Sequence, residues 1–211
     1  LAFHVGSQCL DPTAYARAIA YAGEIAAEAG VGLDVLDVGG GFPIAYPGST
    51  PPALDTYIDT IREAVAGLPA GLEPLLWCEP GRALAGAALS VVVRVEHRRG
   101  DELFINDGIY GSLSDAGAPG FRFPARLIRP DGPVATRQRD FVLFGPTCDS
   151  VDRMAGPWTL PEDVREGDWI EIGQLGAYGS ALRTGFNGFD RAQLVEVDAP
   201  PLLFTAGHPG A

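Results

Sequence analysis

The sequence contains no lysine: all 15 of its basic residues are arginine, a bias that a GC-rich genome produces. Nothing in the chain can therefore offer an ε-amine to an aldehyde, which excludes covalent catalysis through a lysine of its own. Cysteine is scarce too. Cys9, Cys78 and Cys148 are odd in number, widely spaced and without a CxxC pair, so neither a disulfide framework nor a metal site is expected, and a reducing, cytoplasmic compartment is. Long hydrophobic runs are missing as well. The weakly polar stretch from Ala83 to Val93 is interrupted by Ser90 and closed by Arg94, well short of the roughly 20 residues a membrane helix needs, and no signal-peptide pattern is present. Positive charge is in deficit, with a net charge of −12, so a nucleic-acid partner is not expected. Leu1 opens directly on an apolar strand without a start methionine, which reads as a cut in a longer chain.

What is present is the composition of a globular protein, 46% hydrophobic and 20% charged. Asp11-Pro12 supplies an N-cap and a proline at the first helical position. Tyr15, Ala18, Ile19, Ala22, Ile25, Ala26 and Ala29 then recur at helical spacing until Gly30. A strand over 33–38 runs into Gly39-Gly40-Gly41, a second helix is expected over about 51–66, and a strand over 74–78 ends in Glu79-Pro80-Gly81-Arg82. Strand ends at His4, Gly39 and Glu79 are thus 35 and 40 residues apart, each interval holding one helix. That is the βα period of a parallel α/β fold, whose sites form at the carboxyl ends of the strands.

Past residue 84 helical periodicity gives way to short β-rich runs: 90–96, 102–105, 123–128, 140–144, 168–172 and 193–197. The expected organisation is a partial βα unit over 1–84 and an all-β domain, barrel or sandwich, over 85–211. Residues 111–120 read as a loop and 199–211 as a frayed tail.

Several residues carry chemistry in one reading and only structure in another. His4 is either a packed histidine or a flat ring for a planar cofactor. The glycine triplet is an ordinary turn or an anion nest of uncovered N–H groups. Glu79 and Arg82 form a surface ion pair, or hold a pyridinium nitrogen and a phosphate. Cys148 beside Asp149 in a Gly-Pro turn and Tyr178 between small residues can likewise be reactive or merely structural.

Together and in order, His4-Val-Gly-Ser-Gln, Asp37-Val-Gly-Gly-Gly-Phe-Pro, Glu79-Pro-Gly-Arg, Asn106-Asp-Gly-Ile-Tyr-Gly, Gly145-Pro-Thr-Cys-Asp-Ser-Val-Asp, Gly176-Ala-Tyr and Phe186-Asn-Gly-Phe resemble the fold type III decarboxylases that depend on pyridoxal 5'-phosphate (PLP). The resemblance lies in the ornithine/diaminopimelate/arginine group, closest to ornithine and lysine decarboxylases, and extends to about residue 198. It implies an α/β plus all-β architecture: the C-terminal three βα units of a (β/α)8 barrel followed by a β-barrel or sandwich domain. It implies that His4 stacks on the pyridoxal ring, that Ser7, Gly39, Gly40, Gly41, Arg82 and Tyr178 hold the phosphate, and that Glu79 faces the ring nitrogen. Cys148 and Asp149 would enter the neighbouring subunit's site in a homodimer, Cys148 guiding reprotonation at Cα and Asp149 binding the substrate's distal amine, with Asp115 a second acidic contact.

An aspartate after this cysteine suits a bare cationic amine, so L-ornithine or L-lysine is the expected substrate of a polyamine-forming enzyme. In the family the PLP-bearing lysine lies on an early barrel strand, before everything seen in this sequence. The chain alone is thus expected to lack decarboxylase activity. Without those strands the Leu1–Val5 edge and both helices would lack partners, so aggregation or a borrowed partner is expected, with dimerisation through the β-domain face carrying Cys148. A non-catalytic regulatory homologue, or a decarboxylase of arginine, diaminopimelate or a carboxylated polyamine, is the alternative.

Overall fold

The computed structural model describes residues 1–205. The chain folds as two compact units, one of Leu1–Ala45 with Thr50–Leu84, the other of Tyr46–Ser49 with the chain from Ala85 onward.

In the first unit β1 (Val35–Asp37) pairs in parallel with β2 (Leu75–Trp77), Val35 opposite Leu75 and Asp37 opposite Trp77. The expected strand at Leu1–Val5 is reduced to a single parallel bridge between Ala2 and Asp37. Its pairing stops there because the chain turns at once through Gly6 (φ 107°) and Gln8 (φ 55°). Between these segments lie α1 (Thr13–Ala29) and α2 (Leu54–Ala66). Pro12 already has helical dihedrals, and the Asp11 carboxylate takes the Thr13 N–H at 2.9 Å, so the cap sits where the Asp-Pro pair suggests. Gly30 ends α1 in the left-handed region (φ 64°), its N–H returning to Ala26 and Ala27. The second helix starts three residues later than Pro51, because Ala53, its N-cap, stays extended (ψ 148°).

The apolar stripe packs as its period predicts. Tyr15, Ile19 and Ala22 of α1 and Tyr57 and Ile61 of α2 close over Leu36, Val38 and Phe42. Tyr15 stacks on Phe42 at 5.0 Å, and Tyr57 stands edge-on to both rings. Ile25 lies off the buried stripe and is exposed.

The second unit is built on one six-stranded sheet of order β5-β8-β3-β4-β6-β7. The strands are β3 (Val91–Arg99), β4 (Glu102–Ile105), β5 (Ala125–Ile128), β6 (Gln138–Phe144), β7 (Arg153–Pro161) and β8 (Trp169–Ile172). All neighbours are antiparallel except β4 and β6. Sequence reasoning missed β7, whose Gly156, Pro157 and Pro161 argue against a strand; it forms because it lies at the sheet's end, where missing donors are tolerated, and its pairing shifts register near Phe141. The strand expected at 193–197 is absent. That run is irregular, with Leu194, Val195 and Val197 exposed, because no strand of the sheet pairs with it. Residues 199–205 are irregular too, and the rest of the expected tail, 206–211, lies outside the described residues.

A buried pair stitches the far side of the unit. Arg129, 5% exposed, forks onto both oxygens of Asp168 at 2.8 and 2.7 Å and also reaches Asp163. Tyr46 packs against Phe121 and Phe123, which explains why Tyr46–Ser49 belongs to this unit. Among the described residues no helix is long and apolar enough to cross a membrane.

Candidate functional site

In the first unit the expected cofactor residues gather at the carboxyl ends of the parallel segments. The Gly39 N–H is capped by the Asp37 carboxylate at 2.9 Å, and its carbonyl takes the Glu79 N–H at 2.8 Å. The Gly41 carbonyl takes the Cys9 N–H at 2.8 Å, while the Gln8 amide both donates to and accepts from the Ile44 backbone. The glycine loop is thereby laced to the loop after Val5 on one side and to Glu79 on the other. A Cβ on Gly39 (φ 68°) would lie 2.1 Å from the Phe3 carbonyl oxygen, and one on Gly40 would lie 2.8 Å from the Glu79 oxygen and 3.1 Å from His4 Nε2. Close backbone approach, and not openness alone, explains why glycine stands there.

Gly40 is buried, and among the described residues its N–H meets no acceptor; the same holds for the N–H of Gly41. Two uncovered amides at a buried loop are what an anion needs. The loop is propped from behind by Tyr15, whose hydroxyl donates to the Gly40 carbonyl at 2.8 Å. Burial pushes that phenol far above its ordinary value, so it remains a donor.

His4 is exposed, and its Nδ1 accepts the Gly6 N–H at 2.9 Å. An accepting Nδ1 leaves the proton of the neutral ring on Nε2 and fixes the ring's orientation. Arg82 lies on the short helix α3 (Gly81–Ala85), is 5% exposed, and donates to the Ser7 hydroxyl at 3.0 Å. The Glu79 side chain is exposed and has no ion pair or hydrogen bond among the described residues. His4, Ser7, Gly39, Gly40, Gly41, Glu79 and Arg82 thus belong to one constellation.

The second unit holds the others. Cys148 and Asp149 sit in the turn after β6, beside a cavity of about 490 Å³ lined by Phe104, Phe144, Glu96 and the turn itself. The turn is organised by Asp152, 3% exposed, which accepts the Ile109 N–H at 2.9 Å, the Thr147 N–H at 3.1 Å and the Thr147 hydroxyl at 2.8 Å. Gly145 and Gly108 leave its carboxylate room. The Tyr110 hydroxyl donates to Asp149 at 2.5 Å, and the Asn187 amide donates to Cys148 Sγ at 3.4 Å. The Tyr110 bond, foremost, holds Asp149 below the usual carboxylate range and lifts Tyr110 above the ordinary phenol value.

Tyr178 is half-buried in the turn after β8, its carbonyl taking the Leu182 N–H. Asp115 is half-buried in a 3-10 turn, Ser114–Ala116, with its carbonyl on the Phe121 N–H. Sequence reasoning did not single out Tyr15, Gln8, Tyr110, Asp152 or Asn187. Gln8, Tyr110, Asp152 and Asn187 lie within the motifs that carry the resemblance, whereas Tyr15 was legible only as part of an apolar stripe. All three cysteines are unpaired, and no group of three or more His, Cys, Asp or Glu suited to a metal exists among the described residues.

Residues 1–86 match the family described as pyridoxal-dependent decarboxylase, pyridoxal binding domain. The chain is 34% identical to ornithine decarboxylase of Schizosaccharomyces pombe, over 94% of this chain and 48% of the relative. It is 34% identical to antizyme inhibitor 2 of Xenopus laevis, over 91% of this chain and 46% of that one. Among solved structures, lysine/ornithine decarboxylase of Vibrio vulnificus complexed with cadaverine superposes with a TM-score of 0.73 at 37% identity, covering 94% of this chain and 55% of that one. Residues 1–86 thus match the pyridoxal-binding domain of the PLP-dependent decarboxylases, and the chain is similar along most of its length to fold type III members of that group. It spans about half the length of the curated relatives it matches.

Proposed function

We propose that the chain supplies the phosphate cradle and substrate-side residues of a cytoplasmic PLP-dependent L-ornithine/L-lysine decarboxylase that forms a diamine. Residues 1–84 would belong to its (β/α)8 barrel and 85–211 to its β-domain, in a homodimer with active sites at the interface. The observation that carries this reading is the convergence of the Gly40 and Gly41 amides, the Arg82–Ser7 pair, the His4 ring and the Glu79 carboxylate at the carboxyl ends of parallel segments. The donor set fits a phosphate dianion, with two uncovered amides and a buried guanidinium.

When bound, the cofactor supplies the electron sink for the bond to the substrate's carboxylate. Glu79 would keep the pyridine nitrogen protonated, His4 would offer its ring face, and Tyr178 would add a phosphate hydrogen bond. In the neighbouring subunit's site Cys148 would guide a proton to Cα, and Asp149, with Asp115 as a second carboxylate, would hold the distal ammonium. The chain has no ε-amine to hold the aldehyde, so on its own it is expected not to decarboxylate either diamino acid.

Binding of PLP and of unphosphorylated pyridoxal to the chain tests the cradle. PLP is expected to bind the tighter, and Arg82→Ala and Ser7→Ala to weaken PLP, the former by about tenfold given a lost charge-assisted contact, while pyridoxal is unaffected. Equal binding of the two compounds would overturn the reading. A second reading, a non-catalytic homologue that regulates such an enzyme by pairing with it, is favoured by one observation: the antizyme inhibitor 2 relative is as similar as the yeast decarboxylase. That reading predicts pairing with a decarboxylase without PLP binding.

A further inference from the structure

We propose that Tyr110 is a positioning residue for Asp149: its hydroxyl, braced by Phe186, fixes the carboxylate that meets the substrate's distal amine. The proposal rests on the reading of Asp149 given above. Asp149 stands in a turn, half-exposed, where an aspartate would ordinarily sample several rotamers. Two bonds remove that freedom. One is local, from the Val151 N–H to Oδ1 at 3.0 Å; the other comes from 39 residues away, the Tyr110 hydroxyl to Oδ2 at 2.5 Å.

Tyr110 is itself held at both ends. Its ring lies 4.5 Å from that of Phe186, and its carbonyl accepts both the N–H and the hydroxyl of Thr184, at 2.9 and 3.0 Å. The adjoining Arg183 is pinned to Asp107 at 3.0 Å and to Ser112 at 2.8 Å. The phenol is therefore delivered by a rigid scaffold and not by a mobile loop.

Geometry leaves the carboxylate competent. It has about four lone-pair directions, of which Tyr110 and Val151 occupy two, so an ammonium can still be met. A donated hydrogen bond favours the ionised form, in keeping with the direction of both groups' shifts; Asp152 and Cys148 push Tyr110 the same way. Because the pKa of Asp149 is depressed, its charge persists as pH falls through the ordinary carboxylate range. Loss of the Tyr110 bond moves its protonation to higher pH, and recognition of an amine fails earlier on acidification.

The test is NMR of the chain carrying carbon-labelled tyrosine, the Tyr110 signal being the one lost in Tyr110→Phe. Asp149→Asn is expected to displace that signal and to bring its titration down toward an ordinary phenol, and Phe186→Leu to do so in part. Cadaverine is expected to shift the same signal, and Tyr110→Phe to weaken cadaverine about fivefold, the net size of one ordinary hydrogen bond. An unchanged Tyr110 signal in Asp149→Asn would overturn the proposal. A signal that responds to Asp149→Asn but not to cadaverine supports the Tyr110–Asp149 hold and counts against the amine-site reading instead.

Discussion

Gly39→Ala is expected to destabilise the first unit by about 3 kcal/mol or more, enough to abolish any ligand cradle there. Two independent costs add to that figure. A left-handed residue with a Cβ costs roughly 1–2 kcal/mol, and forcing an atom into a packed site costs typically 1–3 kcal/mol. Both apply, because Gly39 has φ 68° and its added Cβ would lie 2.1 Å from the Phe3 carbonyl oxygen and 3.1 Å from the Phe3 carbonyl carbon. Those atoms are backbone and cannot rotate away.

Relief would require Phe3 to leave Asp37, breaking the bonds from the Phe3 N–H to Asp37 and from the Asp37 N–H to Leu1. The opening segment, with His4 and Ser7, would then lose its anchorage. Thermal unfolding together with proteolysis mapped within residues 1–84 measures the effect. Gly32→Ala is the control, since nothing lies within 4 Å of its added Cβ and its φ is not in the left-handed region. If Gly39→Ala and Gly32→Ala melt together, close approach is not what requires glycine at position 39.

The same glycines show how far sequence reasoning reaches. Three in a row after an apolar run announced a special backbone, and the loop is indeed special, but uncovered amides were only part of the reason. The Gly39 amide is spent on Asp37, and Gly40 alone is both buried and without an acceptor among the described residues. Close packing of two strand ends against a loop is a tertiary fact that no local composition encodes.

Periodicity served better for the helices, because the stripe of Tyr15, Ile19, Ala22 and Ala26 is itself the burial pattern. It could not disclose that Tyr15 also has a polar task at Gly40. Strands fared worst where pairing, and not propensity, decides. Leu1–Val5 and 193–197 look β-like and gain almost no ladder, whereas Arg153–Pro161 looks broken and forms a nine-residue strand because an edge tolerates its prolines.

Asp152→Ala is expected to cost about 3 kcal/mol in the second unit and to release the turn that carries Cys148 and Asp149. Sequence reasoning gave Asp152 no role although it closes the Gly145–Asp152 motif, yet it is 3% exposed and satisfies three donors from two segments. Removing it leaves the part-buried Ile109 amide, Thr147 amide and Thr147 hydroxyl without their acceptor, at roughly 1 kcal/mol each. Asp152→Asn fares little better: its amide nitrogen must face one of two N–H donors, so one side of the staple becomes donor against donor.

The turn closes between the Gly145 N–H on the Asp152 carbonyl and the Asp152 N–H on the Asp149 carbonyl. Losing the carboxylate therefore loosens both Cys148 and the partner of Tyr110. The readouts are a lower melting temperature and altered alkylation of Cys148, followed by peptide mass so that Cys9 and Cys78 do not interfere. Ser150→Ala, an exposed position in the same turn, is expected to change neither. If Asp152→Ala melts like Ser150→Ala and its Cys148 reacts as before, the buried staple does not hold the turn.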